Sequence, residues 1–273
     1  MSRRAPPAPR AIAIVPARLA SQRLARKMLL DRTGRPLFAH TVDNVRASGA
    51  FARVVLATDA EEIRARAAEL GIEAVLTSVE LASGTDRVHA AWNVLEAAGE
   101  RASVLVNVQG DEPELAPADL ARLVACFADP GVEMATLCGP IAPAEDADRA
   151  NVVKVVRDAR GDALYFSRAR IPFAGHARGE AANSAQWTLL RRHIGVYAFT
   201  PVALVSFRSL PTGRLEVAEN LEQLRWLEAG RRIRVLDAEH VPEGIDTPED
   251  YERFVARWTA RGARTSGGAG SRS

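Results

Sequence analysis

The first half of the chain alternates short apolar runs with helix-forming stretches, and this rhythm restricts the fold more than any other feature. Ala11-Ile12-Ala13-Ile14-Val15, Arg53 to Asp59, Glu73 to Thr77 and Ser103 to Val108 read as strands. Between them lie helical stretches: Ala60 to Leu70, closed by Gly71 as a C-cap, and Ser83-Gly84-Thr85-Asp86 opening a helix to about Ala98, with Ser83 or Thr85 as N-cap. Pro117 to Phe127 follows, with proline at the first turn. Such alternation calls for an α/β fold, with a mostly parallel sheet and helices on both faces. The second half changes character. Val152 to Val156, Ala163 to Ser167 and Arg192 to Phe199 are strand-like, with longer connections. Leu215 to Glu228 reads as one helix ending near Gly230, Arg232 to Leu236 as a late strand, and Pro248 to Trp258 as a final helix.

A chain of 273 residues that is 47% hydrophobic is ample for one large buried core. Its net charge of +2 is carried by its ends. Arg3, Arg4 and Arg10 lie in a Pro-rich leader, and Arg261, Arg264 and Arg272 in a Gly/Ser-rich tail. With these six arginines set aside, +2 becomes −4 for residues 11–260. That mildly acidic body implies no nucleic-acid partner. Residues 1–10 and 261–273 are expected to be disordered extensions of a single domain spanning 11–260. Cys126 and Cys138 have no partner at metal-ligand spacing, which fits a reduced, cytoplasmic chain. No apolar run reaches membrane-spanning length, so no membrane partner is expected.

Against that acidic background, four cations crowd into ten residues directly after the first strand: Arg18, Arg23, Arg26 and Lys27. Either the loop is a solvated basic turn, or something anionic lies between these charges. A polyphosphate suits them, because guanidinium forks grip phosphate oxygens and lysine adds a point charge. Ligands of open α/β sheets sit beyond the carboxyl ends of the strands, where this loop belongs. Asp111 follows the fourth strand in Gln109-Gly110-Asp111-Glu112-Pro113. It is either a magnesium ligand at a strand end or the cap of a tight polar turn. Asp246, in Asp246-Thr247-Pro248, is either an ordinary helix start or a second carboxylate on the same metal.

Taken together, Pro16-Ala17-Arg18, Ser21-Gln22-Arg23-Leu24, Lys27, Ser83-Gly84-Thr85-Asp86-Arg87, Asn107-Val108-Gln109-Gly110-Asp111-Glu112-Pro113, Lys154-Val155-Val156, Tyr165-Phe166-Ser167-Arg168, Arg192-His193-Ile194-Gly195-Val196-Tyr197, Leu221-Glu222-Gln223 and Asp246-Thr247-Pro248 form a pattern that resembles the 3-deoxy-manno-octulosonate (KDO) cytidylyltransferases, or CMP-KDO synthetases. The likeness extends from residue 12 to about 255. It implies a Rossmann-like nucleotidyltransferase sheet with a smaller strand-rich part for sugar binding and dimerisation. The implied activity joins KDO to CMP at the expense of CTP, releasing pyrophosphate, with Mg2+ as cofactor and a homodimer as the assembly. By motif position, Arg18, Arg23 and Lys27 would hold the triphosphate, Arg87 would lie near the nucleoside, and Asp111 and Asp246 would bind magnesium. Arg18, Lys27 and Asp111 would form the catalytic set. Gln109, Arg168, His193, Tyr197, Glu222 and Gln223 would form the sugar-acid site, with Arg168 as a carboxylate clamp.

His193 and Tyr197, four apart on a strand, share one face. Read apart from the resemblance, His193 is a satisfied structural group, Tyr197 ordinary core, and Glu222 a solvated helix residue pairing with Arg225.

One departure stands out. Where the family usually reads Arg-Leu-Pro-Gly-Lys-Pro-Leu, this chain has Arg23-Leu24-Ala25-Arg26-Lys27-Met28-Leu29. Glycine there would allow positive φ and close approach to phosphate. With Arg26, either the side chain replaces an amide contact or the loop takes another shape. The alternatives to a KDO enzyme are therefore a transferase for a related acidic sugar and a catalytically silent nucleotide-sugar binder.

Overall fold

A computed structural model of the chain describes residues 9–21, 23–141, 147–173 and 189–267. Most of the expected leader (1–8), Gln22, the connection 174–188 and residues 268–273 lie outside the described residues.

β1 (Ala11–Ala17), β2 (Arg53–Thr58), β3 (Ala74–Leu76) and β4 (Val104–Asn107) are the four strands expected in the first half. They pair in parallel in the order β3-β2-β1-β4. β1 alternates its side chains between two cores. Ala11, Ala13 and Val15 face one core with Phe38 and Leu120, while Ile12 and Ile14 face the other with Trp92 and Phe199. Burial on both faces explains why its sequence is apolar throughout instead of alternating with polar residues. α1 (Leu37–Ala47), α2 (Glu61–Glu69) and α4 (Pro117–Ala125) contribute to the first core, and α3 (Gly84–Ala97) to the second. Ser83 caps α3, accepting the Asp86 N–H at 3.1 Å, while Asp86 accepts the Ser83 N–H in return.

The sheet then becomes mixed. β8 (Arg191–Phe199) runs antiparallel to both β4 and β5 (Met134–Pro140), and β9 (Arg234–Asp237) returns parallel to β5. β6 (Lys154–Arg157) and β7 (Ala163–Ser167) form a hairpin attached to β8 through the Lys154–Arg192 pair. This hairpin is the expected strand-rich addition. Among the described residues, this half carries the helices α5 (Pro201–Ser209), α6 (Arg214–Glu219), α7 (Leu224–Glu228) and α8 (Pro248–Gly267).

Three local expectations need correction. The final helix, expected to end at Trp258, continues to Gly267. The single helix expected over 215–228 is broken into α6 and α7, because Asn220 adopts a left-handed conformation with φ of 51°. Glu222 and Gln223 therefore sit in the turn between two short helices. β8 also departs from an ideal strand. Its pairing with β5 jumps from Thr136–Tyr197 to Leu137–Ile194, leaving Gly195 and Val196 as a bulge.

Candidate active site

The order β3-β2-β1-β4 puts a topological switch point between β1 and β4, where the connections leave in opposite directions and a crevice opens. The cation loop follows β1, and Gln109 to Asp111 follow β4. Gly110 allows the two to close up. A Cβ on it would lie 2.8 Å from the Pro16 carbonyl oxygen and 3.0 Å from Met28 Sδ. The crevice is a cavity of about 630 Å3, and Arg18, Arg23, Lys27, Arg87, Gln109, Asp111 and Asp246 all line it.

Lys27 is at its centre. Its Nζ donates to Asp111 Oδ2 at 2.6 Å and to Asp246 Oδ1 at 3.0 Å. Burial opposes the charged form, but the two carboxylates outweigh it, and the ammonium pKa lies above its ordinary value. Arg23 reaches Asp246 Oδ1 at 3.0 Å. Asp246 is not the cap of α8. Thr247 has that role, accepting the Asp250 N–H, while Asp250 accepts the N–H groups of Asp246 and Thr247. The Asp246 carboxylate is thereby left to the cavity. Glu112, next to Asp111, has its carboxyl pushed up to about 8 by burial and by the charge of Asp111.

The position of Lys27 depends on Arg26. This residue adopts φ 52° and ψ 31°, so the loop takes the left-handed turn that glycine would favour, and Lys27 to Leu29 form a short 3-10 turn behind it. An arginine in that conformation is disfavoured by about 1 kcal/mol. Its side chain pairs with Glu62 on α2.

Of the residues expected in the sugar-acid site, Gln109 lines this cavity, whereas Arg168, His193, Tyr197, Glu222 and Gln223 do not. Gln109 Nε2 donates to Asn107 Oδ1 at 3.0 Å, and Asn107 is the register partner of Tyr197. The bulge brings the His193 and Tyr197 rings to 5.3 Å, whereas residues four apart on a regular strand are separated by about 13 Å. Thr136 occupies the bulge. Its hydroxyl donates to Val196 O at 2.7 Å, so His193 Nε2, 3.0 Å away, donates to Thr136 Oγ1 and Nδ1 remains an acceptor. Burial, with Arg192 nearby, holds the His193 imidazole down at about 3. Burial and the Glu222 charge hold the Tyr197 phenol well above its ordinary value. Glu222 Oε2 accepts from Thr85 Oγ1 at 3.0 Å. Arg225 pairs with Glu216 rather than with Glu222. Gln223 is buried, and its Nε2 has no partner among the described residues.

Arg168 binds protein carbonyls. It donates from Nε to Glu219 O at 2.7 Å, from Nη1 to Ala150 O at 2.9 Å and from Nη2 to Asn220 O at 3.1 Å. Each terminal nitrogen carries one further N–H beyond these bonds. Sequence reasoning missed what holds this corner together. Lys154, fully buried, donates to Val152 O at 2.6 Å, Arg168 O at 2.5 Å and Arg149 O at 3.2 Å. Glu219 accepts the Ser167 hydroxyl and the Arg168 N–H. A lysine heading a buried strand was the available signal for the first of these contacts.

Among the described residues, no group of three or more His, Cys, Asp and Glu is placed to hold a metal. Asp111 and Asp246 nonetheless converge on one ammonium. That suits magnesium, which takes one or two carboxylates and completes its shell with phosphate oxygens and water.

Comparison with known proteins shows the family. The family model described as cytidylyltransferase matches residues 12–233. A 3-deoxy-manno-octulosonate cytidylyltransferase of Anaeromyxobacter sp. (strain Fw109-5) is 47% identical over 90% of this chain and 96% of its own length. The protein of that name from Nitratidesulfovibrio vulgaris (strain DP4) is 47% identical over 89% of this chain and 93% of its own. A solved structure of CMP:2-keto-3-deoxy-manno-octonic acid synthetase complexed with CTP superposes with a TM-score of 0.83, at 34% identity, covering 92% of this chain and 99% of that one. The chain belongs to the cytidylyltransferase family, among its 3-deoxy-manno-octulosonate members.

Proposed function

We propose that this chain is a 3-deoxy-manno-octulosonate cytidylyltransferase, transferring CMP from CTP to KDO with release of pyrophosphate. The observation that carries the reading is the convergence of Asp111 and Asp246 on Lys27, in a cavity also lined by Arg18 and Arg23. In the reaction, the anomeric hydroxyl of KDO attacks the α-phosphorus, the bond to the β-phosphate oxygen breaks, and charge builds on the departing pyrophosphate. Arg18, Arg23 and Lys27 bind the triphosphate and stabilise that charge in place. Asp111 and Asp246 are the residues for a magnesium ion, which would neutralise phosphate oxygens when bound. Arg87 forms the wall toward the nucleoside.

On the sugar side, Gln109, His193, Tyr197, Glu222 and Gln223 offer a mixture of donors and acceptors suited to a polyhydroxylated acid. Neutral His193 offers Nδ1 as an acceptor, and the orphaned Gln223 Nε2 offers a donor. The remaining N–H groups of Arg168 suit the carboxylate. The left-handed turn at Arg26 speaks against a silent binder, because the loop keeps the conformation that glycine would give it.

We also infer a cytoplasmic homodimer. No helix among the described residues is long and apolar enough to cross a membrane. Around the β6–β7 hairpin, Leu164 is 62% exposed, Leu189 63% and Phe173 85%, which supports an apolar subunit contact there.

Purified protein given magnesium, CTP and KDO is expected to release pyrophosphate and form CMP-KDO. A panel of other sugar acids and nucleotides tests the choice of substrate. Turnover with another sugar acid alone would reassign the substrate, and CTP binding without turnover would favour the silent binder.

A further inference from the structure

Asp59 directly follows β2, and its two carboxylate oxygens serve two different walls of the cavity. Oδ1 accepts the backbone N–H of Leu19, in the cation loop, at 3.1 Å. Oδ2 accepts Arg87 Nη2, from α3, at 2.9 Å. The side chains of Arg87 and Asp59 are only 3% and 11% exposed, so water scarcely screens the pair. Arg87 Nη1 donates to Thr77 Oγ1 at 2.6 Å, tying the end of β3 to the same unit. Burial, with Arg18 nearby, pulls the Arg87 pKa below its ordinary value, and Asp59 is the counter-charge opposing that shift. One anion thus fixes the loop bearing Arg18 and Arg23 relative to the helix bearing Arg87.

We propose that Asp59 is a positioning residue for the nucleotide, setting the cation loop and Arg87 in register across the cavity. This rests on the reading of the cavity as the CTP site. Its contribution can be separated from charge by sign. Removing an anion beside a cationic cavity strengthens attraction for polyphosphate, whereas loss of positioning weakens binding.

The test uses Asp59→Asn and Asp59→Ala in the full chain, with CTP, KDO and pyrophosphate as probes. Asp59→Asn keeps an acceptor for Leu19 N–H but leaves Arg87 without its counter-charge, while Asp59→Ala removes both contacts. The KM for CTP and the inhibition constant of pyrophosphate are expected to rise by about tenfold in Asp59→Asn and further in Asp59→Ala, as for loss of a charge-assisted hydrogen bond. The KM for KDO is expected to stay within about twofold, which general loosening of the fold would not allow. If the orphaned guanidinium prevents folding, Arg87→Met alone is compared with Asp59→Ala in the Arg87→Met background, where only the Leu19 contact still depends on Asp59, and weaker pyrophosphate binding by the double variant is the same positive result. Folded variants that bind pyrophosphate as well as the wild type, or more tightly, overturn the proposal alone. A wild-type chain that binds neither CTP nor pyrophosphate overturns the nucleotide reading and the proposal with it.

Discussion

Lys27 Nζ lies 2.6 Å from Asp111 Oδ2, across 84 residues of sequence. The lysine belongs to the loop after β1 and the aspartate to the loop after β4. Their contact joins the basic loop after β1 to the carboxylates at the switch point. It also puts a positive charge between Asp111 and Asp246, whose mutual repulsion would otherwise open the crevice.

Replacing Asp111 by asparagine keeps the shape and removes the charge. Turnover is expected to fall by about 10²–10³, the scale seen when one preorganised electrostatic contact is lost. Mn2+ affinity, followed by electron paramagnetic resonance, should fall as well, with an unchanged circular dichroism spectrum. An Asp111→Asn enzyme of normal turnover would remove this residue from the metal site.

Lys27→Met leaves two carboxylates facing each other without their ammonium. The melting temperature without divalent ions should drop, and added Mg2+ should raise it more than in the wild type, because the ion supplies the missing positive charge. Equal Mg2+ responses in variant and wild type would contradict the sharing of one cation. CTP turnover should be lost in either medium.

Arg26→Gly relieves the left-handed strain but gives up an exposed pair with Glu62, and a more flexible unfolded chain offsets part of the gain. Stability is expected to change by less than about 1 kcal/mol. Turnover should stay within a few-fold. A large rise in turnover would mean that Arg26 holds the wild-type loop back.

Lys154→Met strips three carbonyls of their shared donor in a fully buried site. The expected destabilisation in urea is about 2–4 kcal/mol. Because Lys154 anchors the Arg168 carbonyl, the KM for KDO should rise more than that for CTP. A variant as stable as the wild type would argue against the three carbonyl contacts.

His193 is held down at about 3, against 6.5 for an ordinary imidazole. Its sign follows from which state binds the proton. Between pH 6.5 and 3 the unfolded chain is protonated here and the native chain is not. This contribution is therefore complete above pH 6.5 and erodes as pH falls through that window, by at most about 1.4 kcal/mol per pH unit. His193→Gln should lose less stability than the wild type between pH 7 and pH 5. A native imidazole that titrates near neutrality by NMR would refute the assignment.

The parallel half of the fold was legible because β1, β2 and β4 are buried on both faces and carry unbroken apolar runs. β5 was not, since Met134-Ala135-Thr136-Leu137-Cys138-Gly139-Pro140 combines weak strand formers with glycine and proline. Its place between β8 and β9 is set by tertiary packing. α5 carried a readable signal, Thr200 capping a helix with Pro201 at its first position. The break at Asn220 did carry a signal, because asparagine is one of the few residues other than glycine that readily ends a helix in the left-handed conformation. The crowding of cations after β1 left a solvated turn and an anion site both open, and the fold brings three of the four, Arg18, Arg23 and Lys27, to one cavity. On the sugar side, His193 and Tyr197 depended on the family likeness, and no pattern of single residues foretells the bulge that brings their rings together.

Lys27 and Asp246 meet across 219 residues. A ribosome must therefore extrude nearly the whole domain before the second carboxylate can arrive. A nascent chain stalled at β9 already carries the basic loop and Asp111 but lacks Asp246, so the contact between Lys27 and Asp246 closes only after the segment leading into α8 has emerged.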